Sequence, residues 1–204
     1  MGIFSSSASI TCYRVEGQMP EPIIDAVEKG LSSHRIRDID NEPLESAVGW
    51  TAFTDAFRPD FDGASFSIGT YLVFSLRIDK KSIPAKVLKK HVSLAVTRRL
   101  TDSGREYLSR NEKSEIREQV LGNLYQRIPA TPNVYDVLWS VEDRTVWFFS
   151  NLKAANEELE TLFTKSFKMT LIRMFPFTIA DLATGLSETE RDVLAKLSPT
   201  RFTD

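Results

Sequence analysis

The stretch that decides the fold is VYDVLWSVEDRTVWFF, residues 134–149. Two runs rich in Val, Trp, Phe and Thr, which favour strands, flank the polar residues Glu142-Asp143-Arg144. This pattern predicts a β-hairpin formed by 134–141 and 145–149. Because the hairpin carries Trp139, Trp147 and two adjacent phenylalanines, we expect it to lie at the centre of the core.

Further strands and helices are predicted on both sides of this hairpin. The alternating Leu72, Phe74 and Leu76 predict a bent strand or a hairpin over 65–78. Ser109 and Glu112 have the spacing of a capping box, so a helix is expected to start near residue 111. The other predicted strands are 8–15, 49–53 and 169–175; the other predicted helices are 22–33, 84–100, one capped by Ser150 or Asn151 and ending near 167, and two beyond 178, the second capped by Ser187.

The order of these elements predicts an α+β fold with a mostly antiparallel sheet, because hairpins outnumber βαβ units. The helices around 84–100 and 111–128 are joined by a short connection, so they should form an antiparallel pair. We therefore expect a continuous chain in which residues 1–79 and 130–204 form a central body with packed helices. Residues 80–129 would form a basic helical pair that projects from this body.

Charge is distributed unevenly along the chain. Residues 77–113 contain eleven Lys and Arg against four Asp and Glu, a net charge of +7. The whole chain has a net charge of −2, so the remainder carries −9, part of it in a polar, acidic segment over 35–45 that is expected to be a solvated loop. A concentrated positive charge attracts polyanions, of which phosphate backbones are the most common.

The helix over 86–100 separates its side chains on a helical wheel. Its apolar side is predicted to hold Val87, Leu88, Val92, Leu94, Ala95 and Val96, and its polar side Lys86, Lys89, Lys90, Ser93 and Thr97. Lysines and small hydroxyls can contact phosphate oxygens. Lysine-rich faces are also common on solvated surfaces, but those usually mix both signs of charge. The predicted DNA-binding residues are Lys80, Lys81, Lys86, Lys89, Lys90, Arg98, Arg99, Arg105, Arg110 and Lys113.

The residues give little support for an enzyme. The two histidines, His34 and His91, have no cysteine or second histidine near them in sequence, so no zinc site is predicted. The sequence contains no phosphate-binding glycine motif and no GxSxG. Asp55, Asp60 and Asp62 are the best candidates for a metal-dependent nuclease, although acidic turns ending in glycine are common. We expect no catalysis, no cofactor and no metal; the nuclease is the alternative.

Several short motifs occur in a recognisable order. They are Tyr13-Arg14, Gly49-Trp50, residues 72–78, Ile83-Pro84 with Val87 and Lys89, Asn111-Glu112-Lys113, residues 118–121 with Leu124 and Arg127, the hairpin over 137–149, and Ala154-Ala155 with Leu159. In their order and spacing, which cover residues 10–185, they resemble the RdgC family of bacterial recombination-associated proteins.

This resemblance implies a non-enzymatic protein that binds double-stranded DNA with little sequence preference. It also implies a ring-like homodimer around DNA that restrains the recombinase RecA, in the cytoplasm and associated with the nucleoid. The family's basic lining maps onto Lys80, Lys81, Lys86, Lys89 and Lys90. Single-stranded DNA stays open as a further ligand, and no membrane is expected because no apolar run is long enough to span one.

Two departures from the family pattern affect the expected dimer. The chain lacks the C-terminal third of a typical member, so a shortened member with an open or different dimer is expected. Family members also carry an aromatic residue at the tip of the helical pair, which we match to Ile128-Pro129-Ala130, so Tyr125 or Ile128 would have to replace it. A protein-interaction module whose basic face binds an acidic partner is the remaining alternative.

Overall fold

The strands of the computed structural model form one sheet. They are β1 (Thr11–Glu16), β2 (Ser46–Ala52), β3 (Ser67–Ile68), β4 (Tyr71–Lys80), β5 (Thr131–Ser140), β6 (Thr145–Phe148) and β7 (Thr170–Arg173). The structure describes residues 2–183 and 185–197. In that part of the chain the strand order is β2-β4-β5-β6-β1-β7, with β3 paired to β4, and all pairs of these strands are antiparallel.

The helices complete an α+β architecture. They are α1 (Ile23–Ser33), α2 (Ala85–Ser103), α3 (Arg110–Tyr125), α4 (Lys153–Phe167), α5 (Pro176–Ala183) and α6 (Glu188–Lys196). The predicted fold class is therefore confirmed, and each predicted strand is present with ends that differ by a few residues. No helix in the described part of the chain is both long and apolar enough to cross a membrane.

The predicted hairpin forms as β5 and β6, and it lies in the core. Trp139 pairs with Val146 in the sheet register, and both are buried. On this face the Trp139 ring packs against Phe163 of α4, with ring centroids 5.0 Å apart. Helix α1 approaches α4 at Gly30, where an added Cβ would lie 2.6 Å from the ring of Phe167, so glycine permits the close packing of the two helices.

Three helix ends differ from the prediction. Helix α3 ends at Tyr125 rather than near residue 128. Helix α2 continues through residues 101–103, and it ends where Gly104 adopts a left-handed conformation with φ of 64°. Helix α4 follows Leu152, which provides no side-chain cap, whereas Ser150 accepts a hydrogen bond from the Leu152 N–H at 3.2 Å. The predicted capping box at Ser187 is confirmed.

Helices α2 and α3 pack against each other and form the helical pair. The main core cluster contains no residue from 80–129. The pair instead buries its own apolar residues, Leu88, Leu108, Ile116 and Leu124. The last residue of α3, Tyr125, lies beside Lys81, just before α2 begins, so the two helices run antiparallel as predicted. The division of the chain into a body and a projecting pair stays a prediction.

Candidate nucleic-acid interface

Three lysines of α2 form an exposed face, which we call the lysine face: Lys86, Lys89 and Lys90. Lys89 and Lys90 follow Lys86 by three and four residues, which places all three on one side of the helix. In the described part of the chain, none of the three ammonium groups forms an ion pair. They are therefore available for an anionic ligand. Helix α2 has 19 residues and is about 28 Å long, enough to follow a nucleic-acid backbone.

The opposite side of α2 is packed, but less completely than the helical wheel predicted. Leu88 is buried and Val92 and Ala95 are half-buried, whereas Val87 and Leu94 are exposed. The wheel was therefore wrong for Val87 and Leu94, because α3 covers only a narrow strip of α2.

One predicted hydroxyl donor on the lysine side is already engaged. Thr97 lies on that side, but its hydroxyl donates to the Ser93 carbonyl at 3.1 Å. A hydroxyl has one proton to donate, so Thr97 has none left for a phosphate oxygen in this conformation. The three lysines and the exposed Ser93 are then the groups available on this side.

Helix α2 carries a net positive charge, whereas helix α3 is neutral overall. Helix α2 contains five basic residues and one acidic residue, a net charge of +4. Helix α3 contains three of each sign, a net charge of zero. The pair therefore has one strongly basic helix and one neutral helix, and a polyanion is attracted to α2.

The remaining predicted residues differ in how free they are. Lys80, Arg99, Arg110 and Lys113 are exposed and form no ion pair within the described residues. Arg98 lies 3.8 Å from Asp102, and both side chains are largely exposed, so this pair is weak. Arg105 donates to Glu112 at 2.6 Å, and this hydrogen bond, with those from Ser109, lowers the pKa of Glu112 to about 2.

The prediction for Lys81 was wrong. Its side chain is buried, with 1% exposed, and its ammonium donates to the carbonyl oxygens of Asp40, Glu42 and Tyr125. It has no exposed surface to offer DNA. Lys81 comes directly after the last residue of β4, and no local pattern signalled its burial, because its acceptors lie about forty residues away in the chain.

Arg77 belongs to the basic segment but is also held internally. Its guanidinium forms a bidentate pair with the buried Asp79, with bonds of 2.7 and 2.6 Å. It also lies over the ring of Phe57. The net charge of +7 for residues 77–113 therefore overstates the charge available at the surface.

The tip of the helical pair is not where the resemblance placed it. Residues 128–130 and Tyr125 lie at the base, next to the start of β5. The tip is the connection over 104–109, where Tyr107 is 80% exposed. An exposed aromatic residue is therefore present at the tip, although it lies elsewhere in the sequence. The sequence does contain a signal for this aromatic tip, because Tyr107 lies between Gly104, which ends α2, and Ser109, which caps α3.

The carboxylates proposed for a nuclease are used in turns. Asp55 accepts a hydrogen bond from the Phe57 N–H at 2.9 Å, and Asp60 accepts one from the Asp62 N–H at 3.0 Å. These bonds are the local turn contacts that aspartate favours. Within the described residues, no three His, Cys, Asp or Glu side chains are grouped to hold a metal ion.

A family model described as "Putative exonuclease, RdgC" matches residues 8–187. The chain belongs to the RdgC family. Among curated proteins, none matches the chain significantly. RdgC is a recombination-associated, DNA-related family. The match includes both helices of the pair and the tryptophan hairpin, so the basic helix is part of the RdgC region.

Proposed function

We propose that this RdgC-family chain binds double-stranded DNA through the lysine face of α2, with little sequence preference. The observation that carries the proposal is the set of three exposed, unpaired ammonium groups on the one helix with a net charge of +4. Lysine ammonium groups contact phosphates as point charges and carry no base-specific geometry. Binding of this kind releases counterions and is therefore steeply salt-dependent.

We propose that the protein acts as a homodimer and that Tyr107 at the tip contributes to the contact between copies. A largely exposed tyrosine combines apolar area with a hydroxyl, and aromatic residues are enriched in interfaces. Sedimentation of the wild type and of Tyr107→Ser tests this. The proposal expects a lower dimer fraction in the variant, and equal dimer fractions would contradict it.

The biological role that follows is competition for DNA. We propose that the protein coats DNA in the cytoplasm, at the nucleoid, and so restrains the recombinase RecA during recombination. RecA strand exchange should slow when the protein is added before RecA, and the Lys86/Lys89/Lys90 charge-removal variant should not slow it. Equal inhibition by the wild type and that variant would contradict occlusion through the lysine face.

The description of the family model supports a second candidate, a metal-dependent nuclease. Asp55, Asp60 and Asp62 are the candidate carboxylates for such an activity. We propose the binding function without catalysis instead, because the Asp55 and Asp60 carboxylates hold turns and the described residues contain no group of three His, Cys, Asp or Glu side chains that could hold a metal ion.

The test of the proposed function is fluorescence anisotropy with a labelled random-sequence duplex at several salt concentrations. The expected result is binding that weakens steeply as salt rises and that changes little with sequence. A parallel series with a labelled single strand measures the preference between the two ligands. No binding at low salt would overturn the proposal, and retained association with an acidic protein would then favour the interaction module.

A further inference from the structure

Lys81 brings together three parts of the chain at the base of the helical pair. It follows β4, and its ammonium donates to the carbonyl oxygens of Asp40 at 3.0 Å, Glu42 at 2.9 Å and Tyr125 at 2.6 Å. An ammonium group has three protons, and all three have acceptors here. The Tyr125 carbonyl belongs to the last turn of α3, where carbonyls lack helical partners and a cation is favourable.

Other contacts join the same three parts. We call residues 38–45 the acidic loop. The Asp40 carboxylate accepts a hydrogen bond from the Ala130 N–H at 2.7 Å, and the Glu45 carbonyl accepts one from the Lys81 N–H at 2.8 Å. A Cβ added at Gly122 of α3 would lie 3.8 Å from Cβ of Pro43. The acidic loop therefore lies against the end of α3, although its carboxylates are exposed.

We propose that Lys81 is a positioning residue that fixes the helical pair in one orientation relative to the sheet. This inference rests on the proposed function, because the orientation of the pair affects binding only if α2 contacts DNA. The pair shares no core residue with the body, so few contacts besides those at its base hold it in place. Removing the ammonium leaves three carbonyls without their shared donor, which favours conformations in which the acidic loop and α3 separate.

The consequence for binding is a change in population rather than in contacts. If the pair spends about a tenth of its time in the competent orientation, apparent affinity falls about tenfold. The bound state still contacts the same phosphates, so the dependence of affinity on salt keeps its slope. A phosphate-contacting lysine behaves differently, because its removal lowers that slope by about 0.9.

The experiment compares Lys81→Met with Lys80→Met, which removes the same charge from the neighbouring exposed position and serves as the control for hydrogen exchange only, because Lys80 is among the predicted DNA-binding residues. Hydrogen exchange of the backbone amides, measured on the protein without DNA, shows how stably the base of the helical pair is held. We expect faster exchange of the amides over 40–45 and 122–130 in Lys81→Met, with unchanged exchange in β5 and β6, and wild-type exchange throughout in Lys80→Met. Affinity for the labelled duplex should fall about tenfold with an unchanged salt slope in Lys81→Met.

A disulfide provides the rescue. Cysteines at 43 and 122 would have a Cβ separation suited to a disulfide, since 3.8 Å separates these positions. In a Cys12→Ser background, Lys81→Met with Pro43→Cys and Gly122→Cys should recover slow exchange and wild-type affinity when oxidised, and lose both when reduced.

The outcomes separate the two claims. Unchanged exchange in Lys81→Met, or a lowered salt slope that oxidation does not restore, would overturn the positioning role. Failure of the wild type to bind DNA would overturn the proposed function, while the exchange measurements would still report whether Lys81 holds the base.

Discussion

Neutralising the lysine face is the perturbation with the most clearly calculable effect. In Lys86→Gln/Lys89→Gln/Lys90→Gln, three exposed ammonium groups without ion-pair partners in the described chain are removed. Each phosphate contact contributes about 0.9 to the slope of log affinity against log salt, so three contacts contribute about 2.7. At 0.1 M salt the variant should therefore bind on the order of 10²- to 10³-fold more weakly, with the difference vanishing towards 1 M.

The assay is anisotropy of a labelled random-sequence duplex at four or more salt concentrations. The matched control is Lys29→Gln/Lys165→Gln/Lys196→Gln, which removes the same charge from three exposed lysines outside the helical pair that also form no ion pair in the described chain. The control should keep the wild-type slope. Equal losses in both triple variants would show that total charge, rather than the lysine face, governs binding, and the reasoning would be refuted.

Three further predictions concern the tip, the acidic turns and the core. Glu112 should titrate at a pKa of about 2, because Arg105 stabilises its charged form. The contribution of this carboxylate to folding stability is then present above about pH 4.5 and lost as the pH falls through about 2. Titration of Glu112 near 4.5, measured by NMR, would contradict this. Incubation of the protein with labelled DNA and magnesium or manganese should leave the DNA intact. Cleavage by the wild type that is lost in Asp60→Ala would establish the nuclease. Phe163→Ala should lower the free energy of unfolding by about 3–5 kcal/mol in urea denaturation, because its fully buried ring packs on Trp139; a loss below 1 kcal/mol would place the core elsewhere.

Local rules predicted much of the fold. The capping box at Ser109 and Glu112 is present, with both reciprocal hydrogen bonds, because it depends on residues three apart in the chain. The hairpin over 134–149 depends on strand-forming residues around a short turn, and it forms as predicted. Each of these features is determined within one or two elements, so sequence alone is informative.

The base of the helical pair could not be predicted in the same way. The acceptors of Lys81 come from Asp40 and Glu42, about forty residues earlier in sequence, and from Tyr125, about as far after it. Net charge does not report such contacts, so Lys81 counted as surface charge. The location of the tip could have been predicted. Helices α2 and α3 lie in the chain between β4 and β5, which pair with each other, so the pair begins and ends at these strands. The connection over 104–109 must then lie at the opposite end of the pair.

The central claim is that DNA lies against the outward side of α2, and site-directed cross-linking tests it most directly. In a Cys12→Ser background, a photoreactive benzophenone is attached to a cysteine at Ser93, between the lysines and Thr97, or at Ser114, an exposed serine of α3. The account predicts that a random-sequence duplex cross-links efficiently from position 93 and weakly from position 114. Efficient cross-linking from position 114, with none from position 93 while the duplex is bound, would contradict it.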